Sequence, residues 1–439
     1  CTFAETILML KISIFLLALL PHFICAQSIV SGPFQGHTTF NSTKVWFLGK
    51  SLERVSYKAT NLTDSTDIHT GSALPETSFC FKNKCPFKFK LDGLSEGATY
   101  RLEISRNNQL LSRGKIKTIK NYDVDDFSFL IGSCAFIGTG KDHLYKLWNS
   151  TRIFNTLAKE EEGDFMLWMG DNVYLMGNEL TSKKNALKRY IRVRKHKKLN
   201  RFMKKKFHYA IWDDHDFGPN NCDGNFAGKE NSKAIFESFW QNPNDAHQNG
   251  IYYQFKYADI EIFMLDDRYN REDLNEPKEM LGTEQLAWLK KGLKESNASF
   301  KIIVSGNQVL NTVGGHESFS HYETEKIALF DFIREAKISG VMFFSGDRHH
   351  SEILKVQIPH NYPIYDFTCS ALTSWRYPWR KMSKERNNEL RVGELILKHN
   401  YAVITISGIE HQRIFTITFK NKFGKVLHQY TVKQQEISF

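Results

Sequence analysis

Six short apolar runs between residues 127 and 350 each hand over, at the C-terminal end, to side chains of metal-ligand type. FSFLIGSC ends at Cys134. FMLWMGDNVY ends with Asp171, Asn172 and Tyr174. YAIWDDHD ends with Asp213, Asp214, His215 and Asp216, and Asn220 and Asn221 follow. EIFMLDDR closes on Asp266, Asp267 and Arg268, FKIIVSGNQ on Asn307 and Gln308, and GVMFFSGDRHH on Asp347, Arg348, His349 and His350. Apolar runs of this length between polar turns read as buried strands. In α/β sheets, sites form just outside the carboxyl ends of strands. The pattern therefore predicts one site assembled from many strand ends. Gly132, Gly170, Gly306 and Gly346 precede four of the clusters and are expected to permit tight backbone turns.

The chemistry follows from the charges. Asp213, Asp214 and Asp216 flank His215 within four consecutive positions. Carboxylates this dense repel one another and resist burial, so cations are expected among them. Asp171, Asp214 and Asp347 would flank one or more metal ions. A set of Asp, Asn, His, Tyr and thiolate suits iron, manganese, zinc or calcium rather than a soft copper site. A carboxylate shared by two ions gives a centre that activates water and clamps an in-line displacement at phosphorus.

Amphipathic stretches separate the apolar runs, which makes residues 124–439 an α/β domain. Residues 27–120 carry short alternating strands and turns, including one at Asn107-Asn108, and read as a small immunoglobulin- or fibronectin-like β-sandwich. Cys80 and Cys85 flank a hairpin tip where a local disulfide is reasonable in an oxidising compartment. Residues 1–26, with Lys11 ahead of the run Ile12–Leu20, are expected to be a signal peptide, placing the protein in a secreted or periplasmic setting. No later segment is long and apolar enough to span a bilayer.

The formal net charge is +11, and much of it lies in residues 181–208. That window reads as a solvated helix face, with an electrostatic funnel for an anionic substrate as the alternative. No nucleic-acid-binding signature accompanies it.

GSC at 132–134, GDNVY at 170–174, WDDHDFGPNN at 212–221, LDDR at 265–268 and SGDRHH at 345–350 together resemble the alkaline phosphatase D (PhoD-like) metallophosphatases. EQLAWLKKGLKES resembles a helix of that family, and VSGPFQGHTTFNSTKVWF the start of its N-terminal β domain. The resemblance implies a four-layer α/β/β/α metallophosphoesterase domain preceded by the small β-sandwich domain. It implies ferric iron with one or more calcium ions, other divalent metals being compatible. By motif, Cys134, Asp171, Tyr174, Asp214, Asn220, Asp347 and His349 would be metal ligands. His215, Arg268 and His350 would contact phosphate or protonate the leaving oxygen. Asp213 and Asp216 are read as supports for their neighbours, and LDDR equally as a structural ion pair.

The function expected is hydrolysis of phosphate monoesters by a metal-bound hydroxide. A phosphodiesterase or phospholipase D-type activity at the same site is the alternative within enzymes. A non-catalytic, metal-stabilised binding protein is the rival from another class.

Overall fold

The computed structural model describes residues 29–120, 126–138, 150–243, 249–273, 279–313, 317–376 and 385–439. The expected signal segment lies outside the described residues, as do residues 143–149 of the amphipathic stretch 143–162, whose described part contains helix Ile153–Leu157. Two sheets stack face to face. The first has nine strands in the order Val426–Lys433, Ile414–Asn421, Asn400–Ser407, Phe127–Gly132, Phe165–Met169, Phe207–Ile211, Ile29–Thr38, Ser42–Gly49 and Cys85–Asp92. The second has six: Tyr253–Tyr257, Ile260–Met264, Phe300–Val304, Val341–Ser345, Pro363–Thr368 and Glu352–Gln357. All six apolar runs of the sequence form strands.

Their sequences explain the layering. Strands covered on both faces are apolar throughout, and Phe165–Met169, Ile260–Met264 and Val341–Ser345 are buried at every position. Alternate residues divide between partners. Phe344 meets Phe129 and Phe415 across the sheet interface, while Phe343 packs on Phe330 of helix Glu323–Glu335. Likewise Phe165 meets Phe255 of the opposite sheet, while Trp168 meets Phe154 and Phe202 on the helical side. Each such fully buried large side chain contributes about 1.5–3 kcal/mol. Helix Thr283–Glu295 covers the second sheet through Trp288 on Phe263. The result is the expected α/β/β/α arrangement.

The central strands Phe127–Gly132, Phe165–Met169 and Phe207–Ile211 run parallel, as do Ile260–Met264, Phe300–Val304, Val341–Ser345 and Pro363–Thr368. Their carboxyl ends therefore open on a common edge.

The N-terminal β unit has a second sheet of its own, Ile68–Ala73, Val55–Asn61, Thr99–Arg106 and Gln109–Lys117. It packs over Val45, Phe47, Phe87 and Phe89 to form a separate apolar cluster. The first three strands of the unit's other face continue the nine-stranded sheet, through a parallel pairing of Gln35 with Phe207. Asn107 and Asn108 adopt left-handed conformations (φ 47° and 62°), as a two-residue hairpin turn requires. Cys80 and Cys85 form a disulfide at the neighbouring hairpin.

Candidate metal centre

The parallel strand ends bring the ligand-type residues together. Cys134 Sγ, a carboxylate oxygen of Asp171 and a ring nitrogen of His349 lie within 4.8 Å of one another. Asp171, Asp214 and His215 form a second group with the same spread. Asp171 is common to both, which places its carboxylate between two potential ion positions. The Tyr174 hydroxyl is 3.3 Å from His349 Nε2, and its ring stacks on His215 at 4.2 Å between centroids.

The backbone is bent to present them. Cys134, Asp171, Asn221, Asp347 and His349 all adopt left-handed φ between 55° and 60°. Non-glycine residues there cost about 1–3 kcal/mol each, and such strain gathers at sites held by their surroundings. Cys134 N–H donates to Gly170 O at 3.2 Å, locking two of these turns together.

The glycines act less uniformly than the sequence suggests. Of the four, Gly170 is left-handed (φ 90°). At Gly346 the need is closeness instead: a Cβ would stand 2.4 Å from Met169 O.

Electrostatics show that this donor set fits cations. Burial, then Asp214, Asp213, Asp216 and Asp347, push the Asp171 carboxyl well above the ordinary carboxylate range. Burial and Glu317 raise Asp347 to about 7. Burial, then Asp171 and Asp347, hold the Cys134 thiol far above its usual range, although Ser370 Oγ donates to it at 3.1 Å. Burial lowers His349 to about 3, keeping its imidazole neutral and able to ligate. Groups forced into neutral forms this way ionise together when positive charge joins them.

A cleft of about 230 Å³ opens over the centre, lined by Asp171, Asp214, His215, Asn220, Asn221, Glu317, Asp347, Arg348, His349 and Trp375. A larger hollow of about 540 Å³ lies elsewhere, between Lys44–Lys90 and Trp240–Tyr253, and it contains neither of these ligand groups. Ligand chemistry, not volume, identifies the site.

The expected residues divide by position. Asp171, Asp214, His215, Asn220, Asp347 and His349 line the cleft, with Cys134 and Tyr174 buried beside them. His215, expected as a catalytic contact, also offers its nitrogen at ligand distance. Arg268 and His350 stand behind the cleft, not in it. Arg268 is fully buried and spends its donors on Asp213 at 2.7 Å and Glu317 at 2.6 and 2.8 Å. The LDDR arginine is therefore held in an ion pair, but with Asp213 and Glu317; Asp267 is 3.9 Å away. His350 Nε2 lies 3.1 Å from Glu352, equally buried. Asp216 accepts from the backbone N–H groups of Asn172 and Val173 at 2.9 and 2.8 Å, so it shapes the Asp171 turn rather than supporting His215.

Glu317, Ser370 and Trp375 were not anticipated. Trp375 closes one wall, 4.8 Å from the His349 ring. Ser370 follows strand Pro363–Thr368, whose sequence PIYDFT is broken by Asp366 and so lacks the unbroken apolar signal of the other six. Glu317 carries no sequence pattern; only its ion pairs with Arg268 and Arg271 place it.

Residues 133–405 match the family model described as PhoD-like phosphatase. A solved structure of PhoD superposes with a TM-score of 0.77 at 16% identity, over 95% of this chain and 92% of that one. A purple acid phosphatase from yellow lupin (Lupinus luteus) seeds superposes with a TM-score of 0.67 at 11% identity, over 91% and 74%. At these identities the structural likeness is one of fold. No curated protein matches the chain.

Proposed function

The chain belongs to the PhoD-like phosphatase family, whose members are metal-dependent phosphoric ester hydrolases, and from that premise we propose that its substrates are phosphate monoesters. The carrying observation is the cleft. At about 230 Å³ it is smaller than the roughly 300–1,000 Å³ typical of small-molecule sites. It has room for a phosphoryl group, and a monoester's dianion offers bound cations more charge than a diester's single charge.

The proposed metals are ferric iron and calcium. Cys134, Tyr174, Asp171 and His349 combine thiolate, phenolate, carboxylate and imidazole, a set suited to iron. Asp171, Asp214 and Asn220 offer oxygen, as calcium prefers. Bound cations would acidify water and offset charge on the phosphoryl oxygens.

The protein's own groups do the rest. Arg348, held by Asp347 at 3.7 Å and by Glu385, presents a guanidinium at the cleft wall to orient the phosphoryl group. His215, stacked on Tyr174, supplies a ring proton to the departing oxygen. Trp375 shields that transfer from water. Arg268 and His350 position Asp213 and the chain around Glu352, and do not touch substrate. The Cys80–Cys85 disulfide and the apolar segment Ile12–Leu20 support an exported protein.

The test is side-by-side hydrolysis of a chromogenic phosphomonoester and its matching diester, with and without chelator. Chelator-sensitive monoester turnover that exceeds diester turnover supports the reading. Faster diester turnover would replace it with the phosphodiesterase alternative.

A further inference from the structure

The window 181–208 contains no acidic residue, and its cations are arranged rather than scattered. Helix Lys183–Arg194 buries Leu187, Tyr190, Ile191 and Arg194. Its opposite face carries Lys184, Lys188 and Arg192, and Lys195 extends the row at the helix end. These positions are spaced four, four and three residues apart, so their like charges face one another along one stripe, an arrangement that weakens a helix. The first turn holds Lys183 and Lys184 and no acid, against the helix dipole. Among the described residues, the window's one ion pair is the buried Arg189–Glu179. The N-terminal half of the row is therefore unfavourable to the helix that carries it, whereas Arg192 and Lys195 suit its C-terminal end.

A second element meets it. Ser31 Oγ donates to Arg194 O at 2.7 Å, joining the helix end to strand Ile29–Thr38. Along the sheet, Ile29 stands opposite Gly49, and Gly49 opposite Cys85. Lys50 and Lys84 thus flank the same edge, with Lys82 on the disulfide-closed hairpin. Lys195, Lys50 and Lys82 together depress the Lys84 ammonium beyond the effect of burial. Beside these lysines two large apolar side chains point outward: Leu52 is 57% exposed and Leu74 is 56% exposed. Leu74 follows Ala73, the cross-strand partner of Val55, so both leucines lie at this end of the β unit.

We propose that this face docks the enzyme on an anionic lipid bilayer. The lysine and arginine row meets the headgroups, and Leu52 and Leu74 enter the headgroup–acyl boundary. Basic charge alone would fit any polyanion; exposed leucines at the same end of the β unit fit a bilayer.

The experiment is co-sedimentation of the full chain with vesicles of phosphatidylcholine, with and without phosphatidylglycerol, across a salt series. The expected result is binding that requires phosphatidylglycerol and falls with salt. Replacing Lys184, Lys188, Arg192 and Lys195 together by Gln should weaken it roughly a hundredfold or more at low salt. Leu52→Ser with Leu74→Ser should weaken it several-fold at unchanged charge. Cooperative melting at or above the parent temperature shows that each variant is folded. Absence of binding to phosphatidylglycerol vesicles, or parent-like binding by the Gln variant, overturns the proposal. Parent-like binding by the leucine variant, with DNA competing fully, overturns it in favour of a soluble polyanion.

Discussion

Arg268 Nε donates to Asp213 Oδ1 at 2.7 Å across the seam between the two sheets, with both side chains fully buried. The pair ties the end of strand Ile260–Met264 to the end of Phe207–Ile211, one residue before Asp214. Breaking it leaves a buried carboxylate without its counter-charge. Arg268→Met should destabilise the protein by about 3–5 kcal/mol, because Asp213 and Glu317 both lose their counter-charge. Urea denaturation measures this. A loss under about 1 kcal/mol would show that water or a cation takes over the guanidinium's role.

Asp171→Asn should lose metal from both ligand groups and abolish turnover, since this carboxylate belongs to each. Cys134→Ser should lose metal from its own group and also abolish turnover, with the fold kept. In chelator, Asp171→Asn should melt at or above the parent temperature, because the substitution removes a carboxyl that burial and four neighbouring acids force to take up a proton on folding. Metal analysis and melting curves together separate ligand loss from misfolding.

Asp347 should cost the metal-free protein stability as pH rises from about 4 to 7, an effect read as the difference from Asp347→Asn. Asp347 titrates near 7 when folded, raised by burial and Glu317, against 3.8 as its ordinary value. Across that window the folded state binds more protons than the unfolded state, so stability falls as pH rises. With metal bound, that difference from Asp347→Asn should no longer fall as pH rises over the same range. Parallel melting series with and without chelator test the sign.

His215→Asn should lower kcat by roughly 10²–10⁴-fold for esters with poor leaving groups, and much less for a nitrophenyl ester that departs without a proton. Loss of metal content in this variant would instead make His215 a ligand, as its place beside Asp171 and Asp214 allows.

Asp67 accepts hydrogen bonds from Tyr100, Asn61 and Ser95, with His69 at 2.8 Å. Burial raises its carboxyl, but these bonds outweigh it and bring the value down to about 2. The stability this adds is present above pH 4 and is lost as pH falls towards 2. Tyr100→Phe should cost about 1.5–3 kcal/mol at neutral pH and progressively less in acid. Acid denaturation of the two proteins tests the convergence.

The centre was legible in the sequence because strand ends are local: an apolar run and its polar terminus are contiguous, as at Phe165–Tyr174. Arg348 sat inside a quoted motif but showed no role until the cleft placed it. Arg268 read equally as a substrate contact and as a structural ion pair, because nothing in LDDR reveals Glu317, 49 positions away. Pairings of that kind exist only after folding. The four-layer stacking was visible through resemblance. The continuation of the nine-stranded sheet into the N-terminal unit was not, because a single register pair, Gln35 with Phe207, carries it.

That one pairing sets an order of assembly. Ile29–Thr38 emerges from the ribosome early and can pair at once with Ser42–Gly49, but its other edge must wait until Phe207 has been made. Until then it is an open template of unpaired amides, vulnerable to the wrong neighbour. Among the elements around Phe207, helix Lys197–Met203 comes just before it and places Asn200 against Gly32 N–H at 2.9 Å. The late-made half of the molecule thus arrives with a guide to the strand that has been waiting for it.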